Sequence, residues 1–185
     1  VLYHWRAHPE STASNPDSKD YTTESGHKAV QHFLDEQHRR GGVRATARIK
    51  AKNRFTCQWH IPEKSPSVEL IIPTRDQAEV LNLAVDSIIT KTTYTNYTIT
   101  VVDNQSEEVA TKNLFKNLKR VHGEKINIIK YNKKFNYSAI NNYAVRKSTA
   151  DIVVLVNNDV EVISSKWLQE IVSHTSRPDV GCVGA

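Results

Sequence analysis

Asn157, Asn158 and Asp159 follow directly on the apolar run Val153-Val154-Leu155-Val156. Four apolar, mostly β-branched residues read as a strand buried on both faces. A strand ending in two amides and a carboxylate carries hard oxygen donors to the rim of a sheet. In open α/β sheets ligands sit beyond the carboxyl ends of the strands. Asp159 is therefore a candidate for holding a divalent cation, and the cation for holding a phosphate. A polar turn that closes a core strand would have the same composition.

The elements that must position these residues form an alternation after Pro66. Strands are expected over Val68–Ile72, Tyr97–Val102, Ile126–Tyr131 and Ile152–Val156. Helices are expected over Asp76–Thr90, Ser106–Arg120, Ser138–Ser148 and Ser164–Thr175. In the first helix, Val80, Leu83, Ala84, Ser87 and Ile88 fall on one face; in the last, Trp167, Leu168, Ile171 and Val172 do so. Val180–Val183 has the composition of a further strand start. Strands alternating with helices at this spacing imply parallel pairing and right-handed crossovers.

Parallel strands bring their C-terminal loops to one rim. Those loops are Pro73-Thr74-Arg75-Asp76, Asp103-Asn104-Gln105-Ser106, Asn132 to Ser138, and Asn157-Asn158-Asp159. Each has a structural reading of its own. Thr74 with Gln77 fits a capping box, Ser106 and Ser138 fit N-caps, and Lys133-Lys134 fits a solvated turn. Their convergence on one rim favours a polar binding site. No GxGxxG or GxxxxGK[ST] occurs, so the common dinucleotide and triphosphate loops are absent. A nucleotide diphosphate would be neutralised instead by a divalent metal at Asp159, helped by Arg75, Lys133 or Lys134. Asp103 is placed to accept hydrogen bonds from a base or ribose, with Asn104 and Asn136 as polar neighbours.

Before Pro66 the composition differs. Residues 8–20 have linker character. Tyr21–Arg40 shows helical spacing through Ala29, Val30, Phe33 and Leu34, stopped by Gly41-Gly42. Val43–Lys50 and Phe55–Ile61, with Asn53 between them, predict a β-hairpin. Pro62–Pro66 is a second linker and the expected domain boundary. Arg39-Arg40, Arg44, Arg48, Lys50, Lys52 and Arg54 concentrate the charge excess of a chain of 185 residues with formal net charge +5. Such a run suits solvent, or phosphates of a membrane or nucleotide. No nucleic-acid motif accompanies it.

With 38% hydrophobic and 24% charged residues the chain is of globular class. It has no run long enough to span a bilayer and no signal pattern. Cys57 and Cys182 lie far apart, without disulfide or zinc spacing, and read as reduced, buried thiols of a cytosolic protein. The absence of Met suggests a piece of a longer protein.

Four stretches together resemble family 2 glycosyltransferases of the GT-A fold. They are Val68 to Arg75, Val101 to Ser106, Phe135-Asn136-Tyr137-Ser138-Ala139-Ile140-Asn141-Asn142, and Leu155 to Asp159. The likeness is greatest to bacterial enzymes that build rhamnose-containing and O-antigen polysaccharides, and it covers nearly all of Ser67 to Ala185. It implies an α/β, Rossmann-like, mostly parallel sheet with flanking helices. The N-terminal helix and hairpin would be an appendage, and the domain would be cut short at its C-terminus. It implies that Pro73, Thr74 and Arg75 line a nucleotide pocket and that Asp103 contacts the base. Asn157-Asn158-Asp159 would take the place of the DxD motif. Asp159 matches its second Asp, the ligand of a divalent metal (Mg2+ or Mn2+). Asn157 replaces the first Asp and brings no charge. Asn142 matches the Asn of the family's Ala-Arg-Asn segment, and Asn141 replaces the Arg. Leu2-Tyr3-His4-Trp5-Arg6 resembles the tail of a preceding glycosyltransferase domain, with His4 as that domain's metal ligand. On this reading residues 1–20 are a tail or linker, 21–66 a connector, and 67–185 the nucleotide-sugar-binding half of a domain.

The implied reaction is inverting transfer of a sugar, of hexosyl type, from a nucleoside-diphosphate sugar to a glycan or lipid-linked glycan acceptor. It would occur in the cytoplasm, compatible with peripheral association at the inner face of the membrane. The catalytic base is expected beyond Ala185, so the chain by itself is expected to be catalytically incomplete. Two other readings fit parts of the chain: a non-catalytic binding module that uses the basic hairpin, and a nucleotidyltransferase. The latter would usually carry a Gly-rich loop where Pro73-Thr74-Arg75-Asp76 stands.

Overall fold

The computed structural model describes residues 21–184. The Leu2–Arg6 segment and His4 lie outside the described residues. The chain divides into two compact units between His60 and Ile61.

The first unit is helix α1 (Thr22–Arg39) with the hairpin of β1 (Ala45–Ala51) and β2 (Arg54–Trp59). Gly41, at φ 93°, ends the helix in a conformation that suits glycine. Asn53 turns the hairpin at φ 54°, its N–H donating to Thr23 Oγ1 at 3.1 Å. Leu34, Ala45 and Ala47 are buried, with Val30, Cys57 and Trp59 packed around them. Phe33, expected on the inner face, is 59% exposed, because the stripe that meets the hairpin runs through Val30 and Leu34. The outer edge of β1 is closed by helix side chains. Ala47 N–H donates to Gln31 Oε1 at 2.8 Å, and His27 Nε2 donates to the Ala47 carbonyl at 3.0 Å.

The second unit holds β3 (Val68–Thr74), α2 (Ala78–Lys91), β4 (Tyr97–Asp103), α3 (Val109–His122), β5 (Ile126–Lys130), α4 (Tyr137–Val145), β6 (Ile152–Leu155) and α5 (Trp167–Thr175). The four strands are all parallel, in the order β5-β4-β3-β6. Strand alternation divides the core between the two faces. Val68, Leu70 and Ile72 pack with Leu81, Val85 and Ile88 of α2, Phe115 and Leu118 of α3, and Leu168 and Val172 of α5. Ile71 and Val102 pack on the opposite face with Ile140 and Ala144 of α4. The α/β class with a parallel sheet and flanking helices is thus observed.

Several expectations change in detail. β3 and β4 are buried on both faces, but β6 is not: Val153 is 37% and Leu155 48% exposed. β6 is an edge strand, and Val153 and Leu155 leave one of its faces only partly covered. The inner face of α2 runs through Leu81, Ala84, Val85 and Ile88, whereas Val80 and Leu83 face outward. Residues 180–183 form no strand. Both cysteines are free thiols, as expected, but neither is buried: Cys57 is intermediate and Cys182 exposed. No helix among the described residues is long and apolar enough to cross a membrane.

The start of the β3–β6 pair is clamped by Asp151. Its carboxylate accepts from Ser67 N–H at 2.8 Å and from Ser67 Oγ at 2.7 Å. The backbone bond first, then the hydroxyl, hold the Asp151 carboxyl below the usual carboxylate range. A depressed carboxylate contributes stability above its unfolded-state pKa and loses it as pH falls through the folded value. Asp151→Asn should therefore lower the thermal midpoint at neutral pH. The gap from the parent should close on acidification below the ordinary aspartate range, as thermal melts over a pH series would show.

Candidate functional site

The rim begins with a proline. Residues 67, 69, 71 and 73 present their backbone groups to β6, as the bonds Ile152 N–H to Ser67 O (3.0 Å) and Val156 N–H to Ile71 O (2.9 Å) show. Pro73 is next in this series and has no N–H. The ladder ends there, and the chain after Val156 leaves the sheet. Asn157, Asn158 and Asp159 are released by that departure, tied back, among the described residues, by Asn158 Nδ2 donating to Thr74 Oγ1 at 3.3 Å.

The loops beside it are held by three side chains. Asn104 is buried; its N–H donates to the Thr74 carbonyl (2.8 Å), and its Nδ2 donates to the carbonyls of Tyr131 (3.0 Å) and Lys133 (2.8 Å). One residue therefore joins the ends of β3, β4 and β5. Asp103, also buried, accepts from Ser106 N–H at 2.9 Å. Asp76 Oδ1 accepts from the N–H groups of Glu107 and Glu108 at 2.8 and 2.9 Å, and Asp76 N–H donates to Ser106 Oγ at 2.9 Å. These bonds offset a backbone cost. Asp76, Gln77 and Gln105 have φ of 54°, 56° and 62°, which for non-glycine residues costs roughly 1–2 kcal/mol each.

The capping roles expected of this rim are not seen. Gln77 is the N-cap of α2 in a left-handed conformation without a side-chain bond, so Thr74 and Gln77 form no capping box. Glu108, not Ser106, precedes α3, and Asn136, not Ser138, caps α4 by accepting from Ala139 N–H at 2.9 Å.

The cleft so framed measures about 260 Å³. It is lined by Pro73, Thr74, Arg75, Asn104, Asn157, Asn158 and Asp159, all singled out from the sequence. Phe135 and Tyr137 complete it, with 61% and 47% of their surface exposed. They flank the capping residue Asn136, so the cap that starts α4 also sets the backbone that carries both rings; in the sequence their one signal is an aromatic on either side of an Asn. Asp103, Asn136 and Asn142 do not line the cleft. Asp103 is turned to its own loop, Asn136 to its helix, and Asn142 is exposed. Its neighbour Asn141 is buried, with Nδ2 on the Tyr137 carbonyl at 2.9 Å and Oδ1 without a partner among the described residues. Lys133 and Lys134 also lie outside the lining. Arg75 lies inside it, with Glu107 3.7 Å away in an exposed pair. Glu161 is taken by Lys91 at 2.7 Å.

The donor set is one exposed carboxylate, Asp159, beside two side-chain amides. No group of three His, Cys, Asp or Glu side chains capable of caging a metal occurs among the described residues. That set fits an ion of the magnesium type, which keeps most of its waters and binds through one or two carboxylates together with substrate phosphates. It does not fit zinc, which favours three or four protein ligands.

The model of glycosyl transferase family 2 matches residues 69–185, the whole of the rim and its sheet. The chain belongs to that family. This family 2 chain is 40% identical over 194 aligned residues to "Uncharacterized protein y4gI" of Sinorhizobium fredii, covering all of the chain and 20% of that protein. It is 31% identical over 183 residues to "O-antigen biosynthesis protein RfbC" of Myxococcus xanthus, covering 99% of the chain and 14% of that protein. The chain thus spans a fifth or less of these relatives. Among solved structures, the mannosyltransferase PcManGT from Pyrobaculum calidifontis, in complex with GDP-Man and Mn2+, superposes with a TM-score of 0.59 at 18% identity, over 89% of this chain and 45% of its own. The fold of this family 2 chain is accordingly that of the GT-A enzymes.

Proposed function

We propose that residues 67–185 are the donor-binding half of a glycosyltransferase domain acting in cell-surface polysaccharide biosynthesis. The cleft takes a nucleoside-diphosphate sugar, and a hexosyl group passes with inversion to a glycan or lipid-linked glycan hydroxyl. Residues 21–66 form a connector, and residues 1–20 a linker or the tail of a preceding domain. The setting is the cytoplasm, at or near the inner face of the membrane. The observation that carries this reading is the position of Asp159 in a cleft that also holds Arg75 and two exposed aromatic faces. The O-antigen assignment of one relative supports the polysaccharide context.

Each lining residue has work suited to its chemistry. Asp159, with Asn157 and Asn158 beside it, would hold a divalent ion arriving with the diphosphate; bound there, the ion would neutralise the leaving group. Arg75 gives a second positive charge, and its loose pairing with Glu107 is easily exchanged for a phosphate. Phe135 and Tyr137 offer ring faces for a base or sugar. Both N–H groups of the Asn104 amide are committed to carbonyls, which leaves its Oδ1 to accept the imide N–H of a pyrimidine. Asp103, the sequence candidate for that contact, acts through its loop instead. Asp159 is the sole carboxylate among the lining residues, so the base that deprotonates the acceptor is supplied from outside this cleft.

Calorimetric titration of the chain with UDP and dTDP tests the proposal. Binding is expected with Mn2+ and is expected to weaken sharply without it. No binding under either condition would favour the non-catalytic module.

A further inference from the structure

Residues 21–60 carry eight basic side chains against three acidic ones, a difference equal to the formal net charge of the entire chain, +5. The three carboxylates all sit on α1 and are engaged there. Glu24 meets Lys28 at 3.4 Å, Asp35 accepts from Gln31 at 2.8 Å, and Glu36 meets Arg39 and Arg40 at 2.5 and 3.1 Å. The hairpin itself has no carboxylate.

Strand alternation sorts its cations onto one face. Ala45, Ala47, Cys57 and Trp59 point to α1. Arg44 and Arg48 therefore point away from it, as does Arg54 on the partner strand; Lys50 sits in the register shift between Ile49 and Ala51, and all four are exposed. Lys52 stands in the turn at the tip. Like charges on one face of a hairpin are unfavourable to each other. Cations often serve to block a sheet edge, yet the outer edge of β1 is already closed by Gln31 and His27. Blocking the edge of β1 therefore does not account for the charge on this face, where, among the described residues, Arg48 alone is paired across the strands, with Gln58.

We infer that this face docks on an anionic lipid surface. The aromatic residues of the hairpin, Phe55 and Trp59, alternate to the other side, which removes the rings that bind single-stranded bases. The one side-chain amide on the face, Gln58, accepts from Arg48 Nε at 2.5 Å and is not free to read a base edge. Near an anionic leaflet each Lys or Arg strengthens binding about fivefold, and the effect fades within a Debye length. The inference is independent of the cleft and of what it binds.

Co-sedimentation of the 185-residue chain with phosphatidylcholine vesicles, with and without phosphatidylglycerol, is the test. The chain should pellet with the anionic vesicles only, and should be released as ionic strength rises from ~0.1 to ~1 M, where the Debye length falls from about 10 to about 3 Å. R48Q/K50Q and, separately, R44Q/R54Q should each weaken binding about 25-fold with unchanged circular dichroism. K116Q/K119Q, which removes two exposed lysines of α3, should leave it unchanged. Equal pelleting with neutral vesicles, no pelleting at all, or hairpin variants that bind like the parent would overturn the inference. Tighter binding to a mixed-sequence DNA duplex at the same ionic strength would also overturn it and assign the face to nucleic acid.

Discussion

Asp159→Ala is expected to reduce nucleoside-diphosphate affinity in the presence of Mn2+ to the level seen without metal, a fall of about 100-fold or more. The magnitude follows from the donor set. Losing an outer-shell partner of a metal already costs 10–100-fold in affinity, and Asp159 is the sole carboxylate lining the cleft. The same substitution should leave the melting temperature unchanged, since Asp159 is exposed. A drop in both quantities would show that the side chain acts on the fold rather than on the ion. Asn157→Asp is the informative companion. It returns a second carboxylate to the strand end and should tighten Mn2+-dependent binding. Unchanged binding there, with Asp159→Ala also silent, would remove the cation from this strand end altogether.

The second large effect belongs to Asn104. Asn104→Leu removes two N–H donors and leaves the carbonyls of Tyr131 and Lys133 without them. Leaving a buried polar group unsatisfied costs about 1–3 kcal/mol. A loss of ~2–4 kcal/mol is therefore expected in urea unfolding, against a total of about 5–15 kcal/mol for a typical domain. Binding should weaken as well at temperatures where the variant is still folded. The loop that Asn104 holds at Lys133 leads directly to Phe135 and Tyr137. A variant within ~0.5 kcal/mol of the parent, the usual scatter for surface changes, would show that the β5 loop is held by other means.

The sheet could be read from residue order because β3 and β4 are buried on both faces and say so in composition. β6 has the same composition but a different place. Nothing in Val153-Val154-Leu155-Val156 distinguishes an edge from a centre, since strand order is set by pairing between distant segments. At the rim, residue type identified which loops matter but not which side chains face the cleft. Asp103 and Asn104 are adjacent, both polar and both buried, yet only Asn104 lines it. Successive side chains at a strand end point to opposite sides, and which of the two meets the cleft is set by the fold around them, not by residue type. Phe135 was hidden for another reason: an exposed aromatic has no periodicity, so a pattern built on burial passes over it.

Pro73 and the bonds of Asp76, Asp103 and Asn104 give the rim a division of labour. The groups that hold the loops are backbone carbonyls and three polar side chains, of which Asn104 alone also lines the cleft. The groups that would meet a ligand, chiefly Phe135, Tyr137, Asn157 and Asp159, hang from that frame and brace little of it. Such a rim can exchange its outer side chains with small loss of stability. New ligand preferences are then open to single substitutions, while a change in the frame costs stability as well. A loop frame of this kind is suited to diversification: one scaffold can be re-lettered at a few positions to accept a different ligand.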